Sequence, residues 1–164
     1  MEKEDVPLLN EWGNNPEYYG ETEWGTQVSR TEDEKTYEKL PPDTKVFFIE
    51  RKDGTKVGLI NHRLTGTLLE IGYGLVPSER GKGYCSEAVS ILVDYLFLSR
   101  DVVRIQAQTD VRNVASQKVL ERNGFKREGT IRKAGFVRGE WRDRFLYSTL
   151  REEWKEPKML TRTN

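Results

Sequence analysis

Apolar residues return along the chain with two different periods, and the switches between them predict the order of elements. Leu8, Leu9 and Trp12 mark a short helix over residues 5–13. Thr31 and Glu34 fit the Ser/Thr-x-x-Glu capping box, opening a second helix that runs to Leu40 and stops at Pro41-Pro42. Strand-like runs follow at 45–50, 56–63 and 67–76, with turn signals at Asp53-Gly54 and Thr65-Gly66, which predicts an antiparallel meander. In 85–100, Ala88, Ile91, Leu92, Tyr95 and Leu96 repeat at the spacing of one helical face. Residues 102–109 alternate through Val103, Ile105 and Ala107, and a helix over 113–122 ends at Asn123-Gly124. Strands at 125–133 and 144–150 come last, Phe145, Tyr147 and Thr149 alternating with Leu146, Ser148 and Leu150. The order α, α, β, β, β, α, β, α, β, β predicts an α/β (α+β) fold, a mixed, mostly antiparallel sheet flanked by helices.

With 164 residues, no repeat and no linker, the chain reads as one domain over 1–154 with a polar tail over 155–164. Lys+Arg and Asp+Glu stand at 27 each beside seventeen aromatics, which excludes a disordered chain and a general nucleic-acid coat. Cys85 is the only cysteine and His62 the only histidine, so neither an internal disulfide nor a multi-ligand zinc site is expected. His62 reads as a strand-face residue. No apolar run nears the roughly 18 residues of a membrane span, and the first residues lack the apolar core of a secretory signal, so a cytoplasmic protein is expected. The charges are uneven: net −7 over 1–79, +6 over 80–144 and +1 over 145–164. Uneven solvated surface is the ordinary reading of such a split; the sharper one is a region for an anion and another for a cation.

The stretch from Leu75 to Cys85, between a predicted strand and a predicted helix, carries the most chemistry. Gly81 and Gly83 let backbone approach a ligand closely, the free amides of a helix start suit phosphate oxygens, and Arg80 and Lys82 add charge there. A turn that merely reverses the chain would also use glycine. Tyr84 after Gly81-Lys82-Gly83 breaks the P-loop pattern, and Ser86 stands where a dinucleotide fingerprint needs its third glycine.

The run Arg80-x-x-Gly83-x-Cys85 resembles the acyl-coenzyme A signature of the GNAT superfamily of N-acetyltransferases, with Cys85 in place of the usual Gly or Ala. Asn113-x-x-Ser116, followed by Gly124-Phe125, is similar to the matching segment of its RimJ/RimL-like branch. The two motifs stand in family order, and the element order covers almost the whole chain. The resemblance implies a GNAT-like fold and transfer of acetyl from acetyl-CoA to a primary amine, either a protein N-terminus or a small molecule. It also implies a donor site formed by Leu75, Val76, Arg80, Gly81, Lys82, Gly83, Tyr84, Cys85, Asn113 and Ser116, with no metal.

Many superfamily members carry a tyrosine acid where this chain has Leu120, which has no proton to give; in the RimJ/RimL-like branch, serine is the proposed acid, which points here to Ser116. Asn113, Ser116 and Leu120 share one helix face. Capping is the alternative role for Asn113 and Ser116. An attacking amine must lose a proton, and the resemblance implies Glu70 as base; an ion pair on the strand face is the other reading, and Glu140 and Asp143 are rivals. Cys85 reads as a structural residue rather than a nucleophile, and Tyr18, Tyr19 and Trp24 fall where the branch shapes its acceptor pocket. Family members usually open with a strand that this chain lacks, which leaves a bare edge, an edge covered by a partner such as a second copy, or a trimmed sequence. A non-catalytic acyl-CoA-binding module is the alternative function. An RNA-binding role for the arginine-rich 126–144 stretch, with Phe136 and Trp141 for stacking, has no recognised motif behind it.

Overall fold

The computed structural model describes residues 2–20, 22, 28–65, 68–155 and 157. After a 3-10 turn at Lys3–Asp5 come helices α1 (Val6–Asn14), α2 (Pro16–Tyr19) and α3 (Arg30–Glu38). Strands β1 (Thr44–Glu50), β2 (Lys56–Thr65) and β3 (Leu68–Leu75) follow, then a 3-10 turn at Pro77–Glu79 and helix α4 (Tyr84–Ser99). The chain continues through β4 (Arg104–Asp110), α5 (Val114–Arg122), β5 (Lys126–Val137) and β6 (Glu140–Leu150). The strands form one sheet in the order β1-β2-β3-β4-β6-β5, antiparallel throughout except for the β3–β4 pair. The mixed, mostly antiparallel sheet expected from the sequence is therefore present, and β1 occupies one edge.

Strand alternation sorts side chains into two layers. One face places Ile49, Ile60, Leu69, Ile71, Leu75, Ile105 and Tyr147 in a single buried cluster with Val89, Leu92, Leu96 and Phe97 of α4 and Leu120 of α5. Phe47, on that face, meets Tyr95 of α4 at 6.4 Å between ring centroids. Phe48, next along and on the opposite face, meets Trp12 of α1 edge-on at 5.8 Å. Helices thus cover both faces.

Four local expectations are corrected. The capping box is Ser29 with Glu32, not Thr31 with Glu34: Ser29 Oγ accepts from the Glu32 amide at 3.3 Å, and Glu32 accepts from the Ser29 amide at 2.8 Å. Both pairs obey the same spacing, but Ser29 keeps extended backbone while Thr31 is already helical, and Glu34 is engaged by Arg30 at 3.1 Å. The buried stripe of α4 is Val89, Leu92, Val93, Leu96 and Phe97, one residue on from the predicted one, leaving Ile91 and Tyr95 exposed at 45% and 41%. The helix is apolar on more than one side, so periodicity fixes the spacing of the stripe but not its rotation. Val103 lies outside β4 and is exposed; Ile105, Ala107 and Thr109 carry the buried alternation. The last hairpin is longer than predicted and turns at Arg138-Gly139, with bulges near Arg127 and Ile131 that blur its alternation. Gly66 of one predicted turn, Trp24 and most of the predicted tail lie outside the described residues.

Candidate active site

The site begins with a gap in the sheet. β3 and β4 run parallel but pair only at Leu69 with Ile105 and Glu70 with Gln106. Beyond those residues they separate, while β3 stays paired with β2 up to Leu75 and β4 with β6 up to Asp110. Ladder alternation turns the N–H and C=O of Tyr73 and Leu75 away from β2 and into the opening. A cavity of about 810 Å³ occupies it, running from Glu70, Gly72 and Gln108 to the start of α4 and the flank of α5.

At the mouth, Gly81 and Gly83 hold left-handed backbone at φ +78 and +89, where a side chain would be strained, and nothing lies within 4 Å of the space a Cβ would fill. Gly83 is the N-cap of α4 and brings no side chain to cap it, so the first amides of a sixteen-residue helix face the mouth without a side-chain acceptor. Such amides, with the positive end of the helix dipole, favour an anion. Lys118 and Arg122 of α5 also line the cavity.

Of the residues expected to hold a donor, Leu75, Arg80, Gly81, Gly83, Cys85, Asn113 and Ser116 line this one cavity. Val76, Lys82 and Tyr84 do not. The Val76 amide donates to Val57 O at 2.9 Å, Lys82 pairs with Glu79 at 3.2 Å, and Tyr84 lines a separate apolar groove between β1 and α4. Arg80 reaches the mouth, but its guanidinium spans carbonyls, donating to Leu75 O and Glu17 O, each at 3.3 Å, and to Tyr18 O. It ties α2 to the end of β3. Burial pushes the Cys85 thiol up to about 11, so it stays protonated near neutrality, as befits the structural role expected of it.

Asn113 caps α5 by accepting from the Ser116 amide at 3.0 Å, and its amide nitrogen donates to Thr22 Oγ1 at 3.2 Å. Its expected capping role is present, and its side chain still lines the cavity. Ser116 Oγ lies 3.0 Å from the Tyr73 hydroxyl, which also sits 3.2 Å from Ser116 O. Burial pushes the Tyr73 phenol above its ordinary range, so it stays neutral. Leu120, one turn further along α5, is fully buried in the core.

Glu70 lines the cavity, where it accepts from Gln106 Nε2 and Gln108 Nε2, each at 3.2 Å, and pairs with Arg63 at 3.0 Å. The expected ion pair is therefore present, on a carboxylate that lines the cavity. Its rivals do not line the cavity: Glu140 is exposed and pairs with Arg142, and Asp143 accepts from the Lys133 amide. Sequence reasoning missed Tyr73, the two glutamines and Arg144, all of which line or support the cavity. Gln106 and Gln108 carried a signal, since they share the strand face opposite the predicted apolar one. Tyr18 also lines the cavity and stacks on Trp12 at 5.2 Å.

A sheet opened between parallel strands, with an uncapped helix start facing the opening, defines a class of split-sheet α/β protein. Residues 1–126 match the family model described as an acetyltransferase (GNAT) domain, and the chain belongs to that family. An uncharacterized N-acetyltransferase, YnaD, of Bacillus subtilis is 36% identical over 85 residues, 52% of this chain and 50% of that protein. The ribosomal-protein-serine acetyltransferase of Escherichia coli is 32% identical over 109 residues, 65% of this chain and 60% of that protein. The chain spans about half the length of the first curated relatives it matches. Among solved structures, the spermidine N-acetyltransferase of Vibrio cholerae in complex with CoA and spermine shares the fold at TM-score 0.83 and 22% identity, over 93% of this chain and 94% of that one. RimL, a ribosomal L7/L12 alpha-N-protein acetyltransferase, does so at TM-score 0.80 and 22% identity, over 92% and 90%. Among the described residues no helix is long and apolar enough to cross a membrane, and no group of His, Cys, Asp and Glu gathers as a metal site.

Proposed function

We propose that this chain transfers acetyl from acetyl-CoA directly to a primary amine, either a protein N-terminus or a small molecule. The observation that carries the reading is the uncapped start of α4, with its two left-handed glycines, at the mouth of the β3–β4 opening. Its amides would hold the diphosphate of the donor, and Lys118 and Arg122 add positive charge on the same side. The pantetheine arm would run along β3, where the outward N–H of Leu75 and the Asn113 side chain are in reach of the opening. Within it, the edge of β3 offers the donors that polarise a thioester carbonyl.

The acceptor amine would enter from the face that carries Glu70, Gln108 and Tyr18. An ammonium has no lone pair, so a proton must leave before attack, and Glu70 is the carboxylate that lines the path. The N–C bond then forms, the C–S bond breaks, and Ser116 supplies the proton to the departing sulfur. Cys85, protonated and half-buried, forms no acyl-enzyme in this scheme.

A thiol-release screen of several acyl donors against small amines, polyamines and N-terminal peptides tests the proposal. Turnover with acetyl-CoA supports it. Calorimetric binding of CoA without thiol release across the panel would leave a non-catalytic acyl-CoA-binding module instead.

A further inference from the structure

Tyr73 comes from β3 and Ser116 from α5, 43 residues apart, yet their hydroxyls meet at 3.0 Å on the wall of the cavity. The side chain is half-buried, and among the described residues its hydrogen bonds go only to the hydroxyl and the carbonyl of Ser116. Strand alternation alone does not demand this. The Tyr73 ring packs against the apolar cluster that Ile71 and Leu75 join. Its hydroxyl reaches past that cluster to the cavity wall and meets the hydroxyl proposed above as the acid. Leu120, a turn beyond Ser116, has nothing to donate.

We propose that Tyr73 is the positioning residue that makes Ser116 a proton donor to the departing sulfur. This inference rests on the reading of Ser116 given above. The phenol has one proton and two acceptors in reach, Ser116 Oγ at 3.0 Å and Ser116 O at 3.2 Å; in this scheme the nearer, Oγ, takes it, and the serine's own proton then turns away from the phenol toward the opening. As the C–S bond breaks, its electron pair stays on sulfur and takes the Ser116 proton. The proton shed by the amine nitrogen as the amide forms passes through water in the opening to Ser116 Oγ and restores it, while the Tyr73 phenol keeps its own proton and holds Oγ by its hydrogen bond. One proton leaves nitrogen, one arrives on sulfur, and no other reactant is consumed. A serine alone is a poor acid for this step; a second donor on its oxygen offsets the charge that would otherwise build there.

The test compares the full chain with Tyr73→Phe, Ser116→Ala and the double variant. Tyr73→Phe keeps the ring, and thermal melting checks that each variant folds. The acceptor-free readout is the thiol of bound CoA, titrated by thiolate absorbance at saturating protein. Tyr73→Phe should raise its apparent pKa by about half a unit or more, with calorimetric affinity for CoA within about threefold of the parent. With acetyl-CoA and the best amine from the screen, kcat should fall about tenfold or more with KM for both substrates little changed, and the double variant should be no slower than Ser116→Ala. A bound thiol that titrates alike in parent and Tyr73→Phe, or an unchanged kcat, overturns the inference. If Ser116→Ala is impaired in that case, only the role of Tyr73 falls. If Ser116→Ala itself leaves both the thiol titration and kcat unchanged, the assignment of Ser116 falls first and takes the inference with it.

Discussion

Replacing Gly83 with Asp separates the fold from the donor site, because the two respond in opposite ways. Gly83 holds φ +89, a conformation that costs an ordinary L-residue about 1–2 kcal/mol. Nothing lies within 4 Å of the position its Cβ would take, so no steric clash adds to that strain. A carboxylate at an uncapped N-cap would itself accept from the first amides of α4 and face the positive end of the helix, which returns roughly 1 kcal/mol. The net change in stability should therefore stay within about 1 kcal/mol, a shift of a few degrees in melting temperature. Binding should suffer far more. The new carboxylate occupies the amides that the diphosphate would use and repels it. Losing one or two charge-assisted hydrogen bonds, each worth about 1.5–3 kcal/mol, weakens CoA roughly 10-fold to 10⁴-fold. Isothermal titration with CoA, beside a melting curve, measures both quantities on one sample. Gly83→Asn repeats the backbone strain and the capping without the charge, and should fall between. A Gly83→Asp protein that melts like the parent and binds CoA within twofold of it would refute the placement of the diphosphate at this helix start.

Ser116→Ala should lower kcat about tenfold to a hundredfold with KM for acetyl-CoA nearly unchanged, read by steady-state thiol release. Its structural cost should be small, since the α5 cap uses the Ser116 amide rather than its hydroxyl. Glu70→Gln keeps the shape of the hydrogen-bonded cluster with Gln106 and Gln108 but removes the carboxylate. The expected result is a fall in kcat of about 10²-fold with KM for acetyl-CoA little changed; an unchanged kcat assigns the base elsewhere. His62 is fully buried with neither ring nitrogen hydrogen-bonded, and burial holds its pKa below the usual 6.5. Above pH 6.5 it is neutral folded and unfolded alike and contributes nothing. As the pH falls below 6.5, the unfolded chain binds the proton first, so stability should drop by up to about 1.4 kcal/mol per pH unit until the folded pKa is passed. Urea midpoints from pH 7 to 5 should fall in the parent and flatten in His62→Phe.

The elements that the sequence made legible are those whose signal is local. A turn dipeptide, a helix ended by Asn123-Gly124 and a strand alternating through Ile105 and Ala107 each depend on neighbours a few residues away. Phase and rotation do not. The α4 stripe sits one residue from its predicted place because Ile91 and Tyr95 are as apolar as the residues that the sheet buries. Only the position of Ile60, Leu75 and Ile105 on the facing sheet decides which side turns inward. In the same way, two overlapping capping boxes read alike as strings, and the backbone angles of Ser29 chose between them.

The candidate site follows the same division. The loop at Gly81 and Gly83 is a continuous stretch, and its left-handed glycines at the start of a helix were legible from the string alone. Its neighbours were less so: the Val76 amide, expected on pantetheine, donates to Val57, Lys82, expected on phosphate, pairs with Glu79, and Arg80 lines the cavity while spanning carbonyls of α2 and β3. Those partners come from other parts of the fold, and no spacing within 75–85 reveals them. Tyr73 is the reverse case, an unremarked strand residue that meets Ser116 only because β3 leaves β4 after Glu70 and opens toward α5. Two conditions must hold at once for that contact: the register that puts Tyr73 on the core face, and the divergence that gives its hydroxyl somewhere polar to go. The first can be read from alternation along one strand. The second is a property of two strands and the helix beyond them, which is why a contact across β3 and α5 is visible only in three dimensions.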